Sequence, residues 1–368
     1  MRIICNTQQL TEVCLNVQRC IPNRSVMPHL ECILIKTLPE GKIELSGFNL
    51  DLGIVTQMDA RVEQPGAVVL NANYFCNSLR RLPGDTVLID CDEKNVCTFK
   101  SGDKNYSMIS LLPEEYPELP TLTESTPIRV SQKLLKNMIR QTIFACSIED
   151  SKTVHRGIKF EVTAGSLRLV ALDGFRLAIR TEFSDYNDKD LNFVVPAKTL
   201  NEVVKFIDDE DTFIEMQVGR RHIRFEIGGY TIISRLLEGI FLDYRTAVPT
   251  AKSTVVRVKT SVMVDYLESA ATMVTEKLKS PVKMIFDEDM IKLSVVTAVG
   301  SFEGKFDASI DGKRTEIGFN ARFLTDALRS CESDEVLINL NGPFAPAVIV
   351  PTEGESFLYL ILPVKIKN

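Results

Sequence analysis

At 368 residues the chain exceeds what one hydrophobic core normally supports, so two or three domains are expected. Hydrophobic residues at 45% and charged residues at 25% are ordinary globular values, and a net charge of −6 excludes a cationic surface over the whole chain, though not a local one. Nine cysteines without a C-x-x-C pair, and three histidines (His29, His155, His222) away from ligand spacing, argue against a disulfide framework and a structural zinc site.

The first residues, MRIICNTQQLTEVC, turn polar too early for a signal peptide, and no apolar run reaches membrane-spanning length. The expectation is a soluble, cytoplasmic protein with no membrane partner. Along the chain one plan then recurs three times. In each third a helical stretch leads to a strand centred on a leucine: Leu45 in GKIELSG, Leu169 in GSLRLVA, Leu293 in DMIKLSV. A second helical stretch follows, in VVLNANYFCNSLRRL, FVVPAKTLNEVVKFI and IGFNARFLTDALRSC, with Phe75, Leu200 and Leu324 in register, as are Leu79, Val204 and Leu328. Each third closes with strand patterns punctuated by Asp, Gly, Asn and Pro.

Pro113, Pro117, Pro120 and Pro127 mark an extended linker after the first third, and Pro249 with AKST marks the next. The expected architecture is α+β, with three repeated domains at 1–120, 121–250 and 251–368. Each has two helices and mostly antiparallel sheets. In SQKLLKNMIRQTIFAC, Ser131 suits an N-cap and Leu134, Leu135 and Met138 form a core stripe, with Lys133, Lys136 and Arg140 on another face. Arg19 and Arg24 near the first helix, and Arg80-Arg81, Lys198 with Lys205, and Arg322 with Arg329 on the second helices, extend basic character to all three thirds. Any one of these suits a solvated helix face; their recurrence points to a shared role.

The middle of the chain holds SLRLVALDGFRLAIR, Ser166–Arg180, whose two alternating arms read as a hairpin around Asp173-Gly174. A two-residue Asp-Gly connection predicts a type I′ turn. Leu172, Phe175, Arg176 and Leu177 crowd apolar and basic side chains at a tip where polar ones are usual. Asp173, His155, Arg176 and Asp243 can be drawn as an acid–base set. However, no nucleophile elbow, P-loop or metal motif accompanies them, and the set does not recur in the other thirds.

Over its whole length the chain resembles the bacterial sliding clamps, the beta subunits of DNA polymerase III. The resemblance is carried by the triplication and by LLPEEYPELP, ALDGFRLA, SRLLEGIFLDYRTAVP and YLILPV in order. It implies a DNA-clamp fold and a head-to-tail homodimer forming a six-domain ring, sheets outside and helices lining the hole. Such a processivity factor encircles duplex DNA without reading sequence. It tethers the replicative polymerase, clamp loader and repair proteins through short Gln/Leu/Phe-rich motifs, with no catalysis, cofactor or metal.

Carried over by position, the resemblance implies a partner pocket of His155, Leu172, Gly174, Phe175, Arg176, Leu177, Leu242, Ala247, Pro346, Leu360, Leu362, Pro363 and Val364. It implies DNA-facing Arg24 and Lys198, to which the helix faces add Lys133, Lys136, Arg140 and Lys205. The implied dimer contact is Tyr106 and Met108 against Thr272 and Met273. His155 and Leu242 depart from the family pattern, the tail runs on through Ile366, Lys367 and Asn368, and Glu149, Thr153 and Val154 stand where aromatic or basic residues are common.

Overall fold

Among the described residues, six helices each start within one residue of the end of a strand. The computed structural model describes residues 1–208, 212–274 and 280–366, with backbone only at 150–152. Lys367 and Asn368, expected to end the tail, lie outside the described residues. The helices are α1 (Thr7–Val17), α2 (Ala72–Leu79), α3 (Gln132–Arg140), α4 (Ala197–Phe206), α5 (Thr260–Ala271) and α6 (Ala321–Arg329). Asn6, Asn71 and Asn320 cap α1, α2 and α6 by accepting the backbone N–H of Gln9, Tyr74 and Arg322. No described helix is long and apolar enough to cross a membrane.

The chain packs as two units, Met1–Lys133 with Lys198–Leu236, and Leu134–Ala197 with Leu237–Asn368. The first unit contains a five-stranded and an eight-stranded sheet, the second a nine-stranded and a four-stranded sheet. The middle third feeds strands to both. Ser125–Ser131, Phe213–Gly219, His222–Ile227 and Tyr230–Arg235 extend the eight-stranded sheet, in which Tyr230–Arg235 pairs with Leu52–Asp59. Its other four strands, among them Ser166–Leu172 and Arg176–Phe183, enter the nine-stranded sheet, where Arg176–Phe183 pairs with Phe357–Ile361. The described strand pairs named here are antiparallel, as alternation along the sequence demands.

Repeat positions become core positions. Leu45, Leu169 and Leu293 are wholly buried at mid-strand, opposite Ile35, Phe160 and Met284, which are also wholly buried. Phe75, Leu200 and Leu324 bury one face of α2, α4 and α6. Val204 is half-buried, and its neighbour Val203 takes the inward position.

Both linkers are fastened by a buried tyrosine. Tyr116 enters a cluster with Cys32, Phe48 and Val69, and its hydroxyl donates to the carbonyls of Cys32 (3.3 Å) and Ser46 (3.4 Å). Tyr244 enters a cluster with Val170, Leu172, Leu177, Val348 and Leu360, and its hydroxyl donates to Glu161 at 2.8 Å. Glu161 also accepts from Lys159 (2.8 Å) and from Arg245 (2.9 Å). Burial pushes the Glu161 carboxyl up. The hydrogen bonds from Lys159 and Tyr244, together with the charges of Lys159 and Arg245, outweigh burial and hold it below its ordinary value.

A carboxylate held low in the folded chain stabilises it fully above the unfolded value of about 4.5 and loses that contribution as pH falls through the folded value. Glu161→Gln should therefore cost about 1–3 kcal/mol at pH 7, the usual cost of breaking a buried charged hydrogen-bond set. The gap to the parent should narrow below pH 4, as read by urea unfolding at both pH values. An equal gap at both would show that Glu161 carries no ionised partners.

Candidate partner-binding cleft

The hairpin tip is one residue out of the expected frame. Leu172 pairs with Leu177, and the Asp173 N–H donates to the Arg176 carbonyl at 3.2 Å, which leaves Gly174 and Phe175 as the central residues. Gly174 has φ +93° and Asp173 is not in the positive-φ region. A positive φ at the first central position fits a type II′ turn in place of type I′. The Asp173 side chain explains the shift: one carboxylate oxygen accepts the N–H of Phe175 (2.8 Å) and of Arg176 (3.0 Å). Asp173 is thereby a turn residue.

Arg176 locks the tip to α6. Its guanidinium donates to Asp173 (3.0 Å) and to Asp326 (2.7 Å) while lying over the Phe323 ring at 4.4 Å. The Phe144 ring centre also lies near, 5.6 Å from the guanidinium carbon. Phe175 is left outside, about half exposed, with its ring 6.3 Å from that of Phe323.

The expected pocket residues separate into a floor and a rim. Leu172, Leu177 and Leu360 are buried at 3%, 3% and 4% exposure in the cluster around Tyr244, with Phe241, Val248 and Val350 packed against it. Leu177 is therefore core beneath the cleft and not a wall open to a partner. Phe175, Leu242, Leu362 and Val364 are exposed, as are Gly174 and Ala247, while Pro346 and Pro363 are half-buried. The Leu362 N–H donates to the Phe175 carbonyl (2.9 Å) and the Val364 N–H to the Gly318 carbonyl (2.8 Å), so backbone bonds hold the tail beside the hairpin tip. His155 sets its ring edge-to-face on Phe241 at 5.2 Å. The result is a buried apolar cluster bordered by exposed apolar side chains, an arrangement suited to taking up other apolar side chains.

Sequence reading missed Phe241, Tyr244, Val348, Glu161, Phe323 and Asp326. Phe241 and Tyr244 lie in SRLLEGIFLDYRTAVP, and Phe323 and Asp326 in IGFNARFLTDALRSC, but only the fold joins any of the six to the hairpin. An open concavity of about 840 Å³ lies at Lys259, Thr260, Ser261, Arg329, Glu332 and Asp334, among other residues, with charges mixed in sign.

Of the six basic positions, Arg24, Lys133, Arg140, Lys198 and Lys205 are exposed. Lys136 is not: it is buried at 8% exposure, because the inward face of α3 takes in Leu135, Lys136, Met138 and Ile139 while Leu134 is only half-buried. Lys205 is paired with Glu202 at 2.8 Å. Tyr106 and Met108 lie half-buried on Lys104–Ile109, an outer strand of the five-stranded sheet, with Tyr106 stacked on Phe99. Thr272 and Met273 follow α5 directly, Thr272 exposed and Met273 half-buried.

Comparison with known proteins identifies the family. The family models of the DNA polymerase III beta subunit match in order: its N-terminal domain at residues 1–120, central domain at 129–243 and C-terminal domain at 245–365. The beta sliding clamp of Halalkalibacterium halodurans is 30% identical over 364 residues, covering 95% of this chain and 96% of the relative. A putative DNA polymerase III beta subunit from Eubacterium rectale superposes with a TM-score of 0.95 at 33% identity, covering 99% of each chain. The DNA polymerase sliding clamp of Bacillus subtilis does so with 0.96 at 27% identity, covering 100% of each. The chain belongs to the DNA polymerase III beta subunit family, the beta sliding clamps.

Proposed function

We infer that the chain is a cytoplasmic processivity factor: a homodimeric ring of six domains, three per chain at 1–120, 121–250 and 251–368, that encircles duplex DNA. Its apolar cleft tethers the replicative polymerase, the clamp loader and repair proteins through short Gln/Leu/Phe-rich segments. The observation that carries the tethering role is the pairing of a buried apolar floor (Leu172, Leu177, Leu360) with exposed Phe175, Leu242 and Leu362. A soluble surface keeps such side chains outside for a reason, and a partner's leucine and phenylalanine supply one.

DNA contact rests on Arg24, Lys133, Arg140, Lys198 and Lys205, exposed cations scattered over several elements without a recognition helix. Such a set attracts phosphates and reads no bases, which is what sliding requires, and the net charge of −6 discourages binding elsewhere on the surface. Dimer contact rests on the unpaired edge of Lys104–Ile109, whose Ile109 is 77% exposed. An apolar edge of this kind is a template for strand pairing with a second copy, near its Thr272 and Met273.

Two measurements test these roles separately. Met273→Arg should give folded monomers by light scattering at micromolar concentration, since an unpaired charge buried in an interface costs several kcal/mol. A variant that remains dimeric would remove Met273 from the interface. Leu362→Glu should weaken a micromolar Gln/Leu/Phe-rich peptide by about 10–100-fold in calorimetry, the equivalent of losing one buried leucine contact, with dimer mass and thermal melt kept. Leu362 suits this test better than Leu177, which is core. Unchanged affinity would place the peptide site elsewhere.

A further inference from the structure

The first unit carries a second copy of the hairpin device. Phe48 pairs with Gly53 as Leu172 pairs with Leu177, with four residues between them each time. The Asn49 side-chain oxygen accepts the N–H of Asp51 (3.0 Å) and Leu52 (2.8 Å), as Asp173 does for Phe175 and Arg176. The second tip residue has a positive φ in both, +75° at Leu50 and +93° at Gly174. For a leucine that conformation is unfavourable, so the surrounding bonds impose it. The end of the neighbouring strand pins each tip: Arg235 N–H donates to the Asp51 carbonyl (2.8 Å), as Leu362 N–H, just past its strand, does to that of Phe175. Each hairpin also receives a linker tyrosine, Tyr116 or Tyr244.

The two copies differ at one seat. Where the second unit has Leu177, the first has Gly53. A Cβ at Gly53 would stand 2.3 Å from Cδ2 of Leu119, a linker residue packed on the Cys32, Phe48, Val69 and Tyr116 cluster. Leu119 therefore occupies the sheet surface at that point. Three residues after Tyr116 the linker presents Leu119; three residues after Tyr244 it presents the exposed Ala247.

We propose that Leu119 is an internal ligand, the chain's own leucine seated on Gly53, which closes the first copy of the cleft and leaves one peptide site per chain. The proposal rests on the reading of the second copy as a peptide cleft. A leucine tethered three residues from a buried tyrosine acts at an effective concentration near millimolar, so a micromolar peptide carrying one comparable leucine does not displace it.

The test is Leu119→Ala, made alone and with Leu362→Glu, which silences the second copy. A synthetic Gln/Leu/Phe-rich pentapeptide is titrated by calorimetry, and Cys32, 2% exposed in the covered cluster, is followed by iodoacetamide labelling and mass spectrometry. The proposal expects two peptides per Leu119→Ala chain against one for wild type, one retained in the double variant, and Cys32 labelled about tenfold faster. Cys32 protected as in wild type, with no peptide on the folded double variant, would overturn it. If wild type binds no peptide, the reading of the second copy fails and Cys32 labelling alone decides the fate of Leu119: faster labelling upholds its seat and wild-type labelling removes it.

Discussion

The backbone ladder between Arg176–Phe183 and Phe357–Ile361 is the interaction on which the candidate cleft depends. It sets Leu177 opposite Leu360, so that a hairpin from the middle of the chain and its last strand build one floor. A one-residue slip of Phe357–Ile361 would turn Leu360 to the opposite face and break up the floor. The same kind of ladder joins Leu52–Asp59 to Tyr230–Arg235 in the first unit. Pairing successive thirds through their sheets consumes edges that would otherwise invite aggregation. It also places a hairpin tip and an incoming linker at each joint.

Around that ladder, polar bonds do the positioning and apolar groups do the contacting. Asp173, Arg176 and Asp326 form a chain of charge-assisted bonds that fixes where Phe175 stands, and Glu161 holds Tyr244 and Arg245 against the sheet. Neither set reaches toward a reacting group. Both stiffen the surface of the candidate cleft, and a stiffer surface lowers the ordering entropy that binding to it would have to overcome.

The sequence was most legible where period and spacing carry the information. Three leucines at constant interval became three buried strand centres, and the motif-rich Ser166–Arg180 stretch became a hairpin. It was least legible where neighbours decide. The Asp173 carboxylate captures two backbone N–H groups and moves the turn one residue on, which no dipeptide rule conveys. Helical spacing put Lys136 with Lys133 and Arg140, whereas α3 buries a wider face than its strongest apolar positions suggest. Arg176 meets Asp326 across 150 residues of chain, and Leu119 meets Gly53 across a linker, so both contacts are products of the fold.

Encirclement of DNA is the central claim, and retention on closed DNA tests it most directly. The protein would be loaded onto nicked circular duplex and challenged with salt that abolishes electrostatic binding, then the circle cut at one site. A closed ring predicts that it stays on the circle at high salt, because release requires opening an interface, and that it leaves when the circle is cut and its ends are free. Equal loss from circular and linear DNA at every salt concentration would contradict encirclement, leaving a surface-bound protein whose affinity follows counterion release alone.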